Sequence, residues 1–240
     1  MLHFLSHYRL KTLIQAFFAK LSEVIDILLL QHPLREMRKI ALAETVECIQ
    51  REMPGAKGFY TARQILNCSL QLAPADGYFM EFGVYKGETI RFIAKALPET
   101  LIHGFDSFKG LPEDWKGLDI RKGTFDVRGK PPKVPKNVQL HAGWFEESLP
   151  LWLKDHPGPI SFLHIDCDLY SSTNTVLKQL APRIVTGTVI LFDEYFNFPN
   201  WRLHEYLAFQ EFINAFDVEV ECVGYARVQA SFKILSIKNR

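Results

Sequence analysis

The chain has 240 residues, 48% of them hydrophobic and 23% charged, with a formal net charge of +1. That balance suits one α/β domain with its own core plus a helical extension, and it leaves no basic excess for nucleic acid. Cys48, Cys68, Cys167 and Cys222 are far apart with no CxxC spacing, so reduced thiols in a cytoplasmic protein are expected, not disulfides or zinc.

Residues 1–73 read as helical. Leu10, Leu13, Ile14, Phe17, Leu21, Val24, Ile25 and Leu28 recur at three- and four-residue steps, the mark of an amphipathic helix. Arg9, Lys11, Lys20, Glu23 and Asp26 break the segment, so no transmembrane span is expected, and it lacks the order of a secretion signal. The apolar stripe predicts packing on the domain or on a second subunit, hence a homo-oligomer through the N-terminal helices. Attachment to a membrane surface is the alternative. A second helix follows the break at "QHPLR", a loop covers "PGAKG", and "TARQILNCSLQLA" forms a further helix. Pro74 and Gly77 then mark the start of a domain over residues 74–240.

From there strands and helices alternate. The strands are "YFMEF", "LIHGFDSF", "VQLHAGWF", "PISFLHIDCDLY" and "GTVILFDEYF", and two more, "VEVECVG" and "SFKILSI", close the chain as a hairpin. The helices between them are "GETIRFIAKAL", "FEESLPLWLKDH", "SSTNTVLKQLAPRI" and "WRLHEYLAFQEFINAF". Alternation of this kind predicts right-handed βαβ units and a mostly parallel, seven-stranded sheet with helices on both faces. Residues 109–136 form a polar loop, with room for a short helix, too long for a simple connection. A lid or substrate wall is expected there.

Ligands of such sheets bind outside the carboxyl ends of the strands. Four of the first five strands end in acids: Glu81, Asp106, the pair Asp166 and Asp168, and the pair Asp193 and Glu194. Buried charge is costly without partners, so this rim predicts a site. After Glu81, the turn at Gly83 and Gly87 leads into a helix whose first N–H groups favour phosphate or carboxylate oxygens. The spacing is not G-x-G-x-x-G, because Tyr85 stands at the middle glycine. Asp106, some twenty residues on, sits where an acid accepts hydrogen bonds from ribose hydroxyls, though it also suits a turn or helix cap. Trp144 in "GWF" offers an aromatic wall or a core residue. Asp166, Asp193 and Glu194 are all oxygen donors and suit a hard ion such as Mg²⁺; the alternative is bonding to backbone amides. Asp168 reads as a general base or as a cap for the next helix. His164 and His204 are further candidate bases, with a core position and a surface helix face as their respective alternatives.

Together "EFGVYKGETI", "FDSFKGLPEDW", "GWFEESLP", "HIDCDLYSST" and "VILFDEYF" resemble the macrocin-type sugar O-methyltransferases, S-adenosylmethionine (SAM)-dependent enzymes of the class I, Rossmann-like fold. The resemblance implies SAM at the first three strand ends and Mg²⁺ at the last two. Glu81, Phe82, Gly83, Tyr85 and Gly87 would line the methionine end of SAM, with Thr89 at the helix start. Asp106 and Ser107 would hold the ribose, and Trp144 and Phe145 would lie near adenine. Asp166 would touch both the cofactor and the metal, beside Asp193 and Glu194. This sequence has "DEY" where the family often has "DDY". Catalysis would fall to Asp168, Asp166 and His204, acting on a hydroxyl of a sugar-like small molecule. Two other readings stand beside it: a nicotinamide-dependent oxidoreductase on a related fold, and a silent methyltransferase-like module that docks on a partner or membrane.

Overall fold

The computed structural model describes residues 13–24 and 33–238. The chain divides into two compact units, residues 1–40 and 41–240. In the first, helix α1 (13–24) carries Leu13, Ile14, Phe17, Phe18, Leu21 and Val24 exposed. Leu10, Ile25 and Leu28, which complete the expected stripe, lie outside the described residues. The division falls earlier than the sequence boundary at 73/74. The reason is burial: Ala41, Thr45 and Cys48 of α2 (Pro33–Glu52) and Ile65, Leu66 and Leu70 of α3 (Ala62–Leu72) belong to the core of the larger unit. A reciprocal cap starts α3, where the Thr61 hydroxyl accepts from Gln64 N and the Gln64 side chain accepts from Thr61 N.

The larger unit is built on one sheet. Its strands are β1 (Lys57–Gly58), β2 (Tyr78–Phe82), β3 (Ile102–Asp106), β4 (Val138–Ala142), β5 (Ile160–Ile165), β6 (Ile184–Phe192), β7 (Val218–Tyr225) and β8 (Ala230–Ile237). They lie in the order β1-β7-β8-β6-β5-β2-β3-β4, parallel except where β8 runs against β6 and β7. The seven expected strands are present, and the two-residue β1 adds an eighth at one edge. It is too short to leave an alternating pattern in the sequence. Helices α4 (Glu88–Ala96), α5 (Phe145–Asp155), α6 (Tyr170–Leu180) and α7 (Glu205–Phe216) follow β2, β4, β5 and β6.

Two cores cover the two faces, as the period-2 geometry of strands requires. Met80, Phe82, Leu163, Ile165, Ile190 and Phe192 pack with Leu149, Val176 and Phe209 of α5, α6 and α7. Their neighbours Phe79, Phe162, Val189 and Leu191 pack the other way, with Ile65, Ile90 and Ile93 of α3 and α4. The central strands are buried on both sides, which is why they read as continuous apolar runs. No helix forms in the 109–136 loop. It folds on itself through bridges between Lys109 and Asp126 and between Trp115 and Ile120.

Candidate functional site

The acids at the strand ends gather around one cavity of about 710 Å³ at the carboxyl edge of the sheet. Gly83, Tyr85, Asp106, Ser107, Trp144, Phe145, Asp166, Asp168 and Glu194, all singled out above, line it. Glu81, Phe82, Gly87, Thr89, Asp193 and His204 do not. Each of these has a physical reason. Phe82 points into the core and stacks on Phe105. Gly87 starts α4 in left-handed backbone, and a Cβ there would meet Arg91 and Pro132. Thr89 is half-buried on the helix that Gly87 opens. His204 sits between a short 3-10 turn and α7, buried instead of on a helix face, with Nε2 at 3.0 Å from the Lys116 carbonyl. It ties the long loop to α7, and burial pulls its pKa down.

The turn after β2 owes its shape to close approach. Gly83 has φ 95°, and a Cβ there would fall on the carbonyl of Asp166 at the end of β5. So this glycine lets two strand ends meet, which keeps Asp166 beside the turn. Asp106 organises the same corner. Its Oδ2 accepts from Val84 N at 2.9 Å and Tyr85 N at 2.7 Å, and its Oδ1 accepts from Phe108 N at 2.6 Å. The carboxylate thus locks the turn and still borders the cavity. Ser107 Oγ accepts from Lys109 N at 3.1 Å, which fixes the start of the long loop. Strained backbone concentrates here: Tyr85, Phe108, Phe125 and Asp168 all have positive φ.

At the other end, Asp166, Asp168 and Glu194 each bring a carboxylate oxygen within 4.8 Å of the others. The sequence grouped Asp193 with Asp166 and Glu194; the geometry brings in Asp168 instead. Asp193 Oδ1 is turned aside by Gln229 Nε2 at 3.2 Å, with His164 Nε2 at 3.8 Å. Nor does Asp168 cap a helix: α6 begins at Tyr170 without a side-chain cap. Burial, then repulsion from Asp193, raises Asp168 to about 7. Burial and the same neighbour push Asp166 and Glu194 well up.

Beneath this cluster lies a second layer, of which the sequence reading left only Glu205 without a role. His164 is buried between Glu81 Oε2, 3.1 Å from its Nδ1, and Asp193. Burial draws His164 down, but hydrogen bonds to Asp193 and Glu81 outweigh it and raise its pKa well above the usual value. Glu205, at the first position of α7, is fully buried and accepts from Glu194 N at 3.1 Å. An acid in the first turn of a helix is an ordinary signal; nothing in the sequence marks it as buried. Three carboxylate oxygens, Glu81 Oε1, Glu194 Oε2 and Glu205 Oε1, are buried with no hydrogen-bond partner. One histidine beside six carboxyl groups, three of their oxygens unpartnered, leaves the layer short of donors and positive charge.

Residues 80–195 match a family model described as a methyltransferase domain. The 8-demethyl-8-(2,3-dimethoxy-alpha-L-rhamnosyl)-tetracenomycin-C 4'-O-methyltransferase of Streptomyces olivaceus is 26% identical over 141 residues, covering 50% of this chain and 53% of that protein. The chain thus spans about half the length of this curated relative. The crystal structure of the calicheamicin methyltransferase CalS11 superposes with a TM-score of 0.58 at 22% identity, over 83% of this chain and 91% of the other. The O-methyltransferase NovP gives 0.56 at 20% identity, over 74% and 79%. These two likenesses establish the class I, Rossmann-like fold.

Proposed function

We propose, from the premise that residues 80–195 are a methyltransferase domain, that this protein is an SAM- and Mg²⁺-dependent O-methyltransferase acting on a hydroxyl of a sugar-like small molecule. The observation that carries the reading is the cavity itself. A glycine turn, Asp106 and Trp144 border it together with an acidic group whose Glu194 Oε2 is buried and unpartnered. The Streptomyces relative, a sugar O-methyltransferase by name, supports the acceptor class.

In this reading Gly83, Tyr85, Asp106, Ser107, Trp144 and Phe145 form the cofactor cradle. Asp106 keeps lone pairs for ribose hydroxyls while it holds the turn. Asp166, Asp168 and Glu194 would hold the cation, since hard oxygen donors and an unpartnered carboxylate oxygen fit Mg²⁺. SAM would supply an electrophilic methyl group, and the ion would stabilise an alkoxide as it develops. The residues orient the acceptor oxygen in line with that methyl group, which lowers the barrier through positioning. Asp168 would accept the hydroxyl proton as the O–C bond forms and the S–C bond breaks, because its carboxylate lines the cavity. His204, bound to the Lys116 carbonyl, has no part in this step. The small helical unit at residues 1–40 remains in this reading an oligomerisation or docking element, in a protein that works in the cytoplasm.

The test is binding and turnover with labelled SAM. Titration of the chain with SAM should give saturable heat, and methyl transfer to rhamnosyl or related acceptors should stop in EDTA. No binding of SAM would sink the reading; full turnover in EDTA would remove Mg²⁺ from it.

A further inference from the structure

We propose that Ser172, with the uncapped start of α6, holds the acceptor oxygen that is methylated and stabilises the negative charge it develops. This rests on the methyltransferase reading above and adds a catalytic residue to it. Asp166, Cys167, Asp168, Ser171 and Ser172 all line the cavity, so the chain curls around it from the end of β5 into the first turn of α6. Asp168 lies in that bend, in left-handed backbone at φ 64°. No side chain caps α6, and the first bond to its N-cap carbonyl runs from Thr173 N to Leu169 O at 3.0 Å. The N–H groups of Tyr170, Ser171 and Ser172 therefore have no partner among the described residues.

Ser172 itself points to a ligand. It lines the cavity, is only 8% exposed, and its hydroxyl makes no hydrogen bond among the described residues. The groups around it are engaged. Ser171 Oγ donates to Glu113 Oε1 at 2.6 Å, and Cys167 Sγ meets Thr173 Oγ1 at 3.4 Å. A buried hydroxyl left unpaired is costly, so an oxygen that enters the cavity gains a waiting donor. Charge decides which oxygen that is. Asp166, Asp168 and Glu194 in the same wall repel any group that gains negative charge. A hydroxyl donor and the positive end of a helix favour such a group. In methyl transfer the acceptor oxygen is that group. Its O–H bond breaks as the proton passes to Asp168, the O–C bond forms, and the S–C bond breaks to leave a neutral thioether. Ser172 keeps its own proton throughout. Asp168 stands two residues before the helix, so an oxygen in contact with its carboxylate lies at the mouth of α6.

Steady-state kinetics on the full chain test this, with labelled SAM and a panel of methyl glycosides that includes methyl α-L-rhamnoside. S172A should lower kcat on the order of 100-fold and leave the acceptor KM and the SAM affinity unchanged, because the lost bond belongs to the transition state. S172T keeps a hydroxyl and should recover most of the loss, whereas its isostere S172V should not. That second pair holds side-chain volume constant, so it decides the matter even where S172A disturbs the helix. Wild-type kcat in S172A and S172V would overturn the proposal and leave the methyltransferase reading intact. So would a raised acceptor KM at unchanged kcat, which is ground-state binding alone. Lost SAM affinity in S172V but not in S172T would overturn it as well, since the hydroxyl would then serve the cofactor's own carboxylate. SAM binding without transfer to any glycoside also overturns the proposal, and a chain that binds no SAM overturns both.

Discussion

Glu81 and His164 are direct cross-strand partners in the register of β2 and β5, and their side chains meet at 3.1 Å beneath the cavity. His164 is in turn opposite Leu191 of β6, two residues before Asp193. The parallel register thus lines up acid, imidazole and acid across three strands, all pointing to the α3–α4 face. Both members of the first pair are almost fully buried. Replacing His164 with Ala leaves Glu81 and Asp193 without their shared partner. The expected loss is about 3–5 kcal/mol of folding stability, as for one partner removed from a buried pair. Urea denaturation measures it, and a loss below about 1 kcal/mol would show that the pair carries little.

Asp106→Ala removes the acceptor for three backbone N–H groups of the turn and the loop. SAM affinity should fall at least about tenfold, equivalent to roughly 1.4 kcal/mol. Asp106→Asn keeps an acceptor oxygen and should lose less. Calorimetric titration separates the two variants, and equal affinity in wild type and Asp106→Ala would contradict the role.

The metal reading predicts an order among the acids. Asp168→Ala should reduce Mn²⁺ or Mg²⁺ affinity more than Asp193→Ala does, because Asp168 belongs to the close group while Asp193 is held by Gln229 and His164. Asp193→Ala should still cost about 10–100-fold as a supporting residue, with SAM affinity retained. Ion titrations in the presence of SAM report this directly. The reverse order would return Asp193 to the ligand set expected from the strand ends.

Glu205 is expected to act through Glu194, whose backbone N–H it accepts. Glu205→Ala should weaken ion binding about 10–100-fold without changing the affinity for SAM. Glu205→Gln retains a carbonyl oxygen for the same N–H and should recover most of the loss. A Glu205→Ala protein that folds normally and binds the ion as wild type does would exclude this positioning role.

Acid sensitivity has an identifiable source away from the cavity. His103 and His141 face each other at 3.1 Å on β3 and β4, with Trp152 and His156 against them. Burial, then neighbouring histidine charge, lowers both to about 4 from 6.5. Between those values the unfolded chain binds more protons than the folded one. The contribution of this pair is therefore complete above pH 6.5 and is lost as pH falls toward 4. Urea midpoints across that range should fall less steeply for His141→Gln than for wild type. Parallel curves would locate the acid sensitivity elsewhere.

The sequence by itself determined the alternation of strands and helices and the acids that end the strands. Both are local properties: apolar period and length set the element, and the first polar residue after an apolar strand marks its carboxyl end. That is why the sequence alone places Asp106, Asp166, Asp168 and Glu194 at one edge. The tertiary structure decided which acids share a space. β5 lies beside β2 although β3 and β4 separate them in the chain, so the meeting of Glu81 with His164 leaves no local trace. The rotation of Asp193 toward Gln229, the burial of Glu205 and the folding of residues 109–136 into the cavity wall depend likewise on contacts between segments far apart in sequence. Side-chain direction at a strand end is set by whichever neighbour can satisfy the charge, and that neighbour is supplied only by the fold.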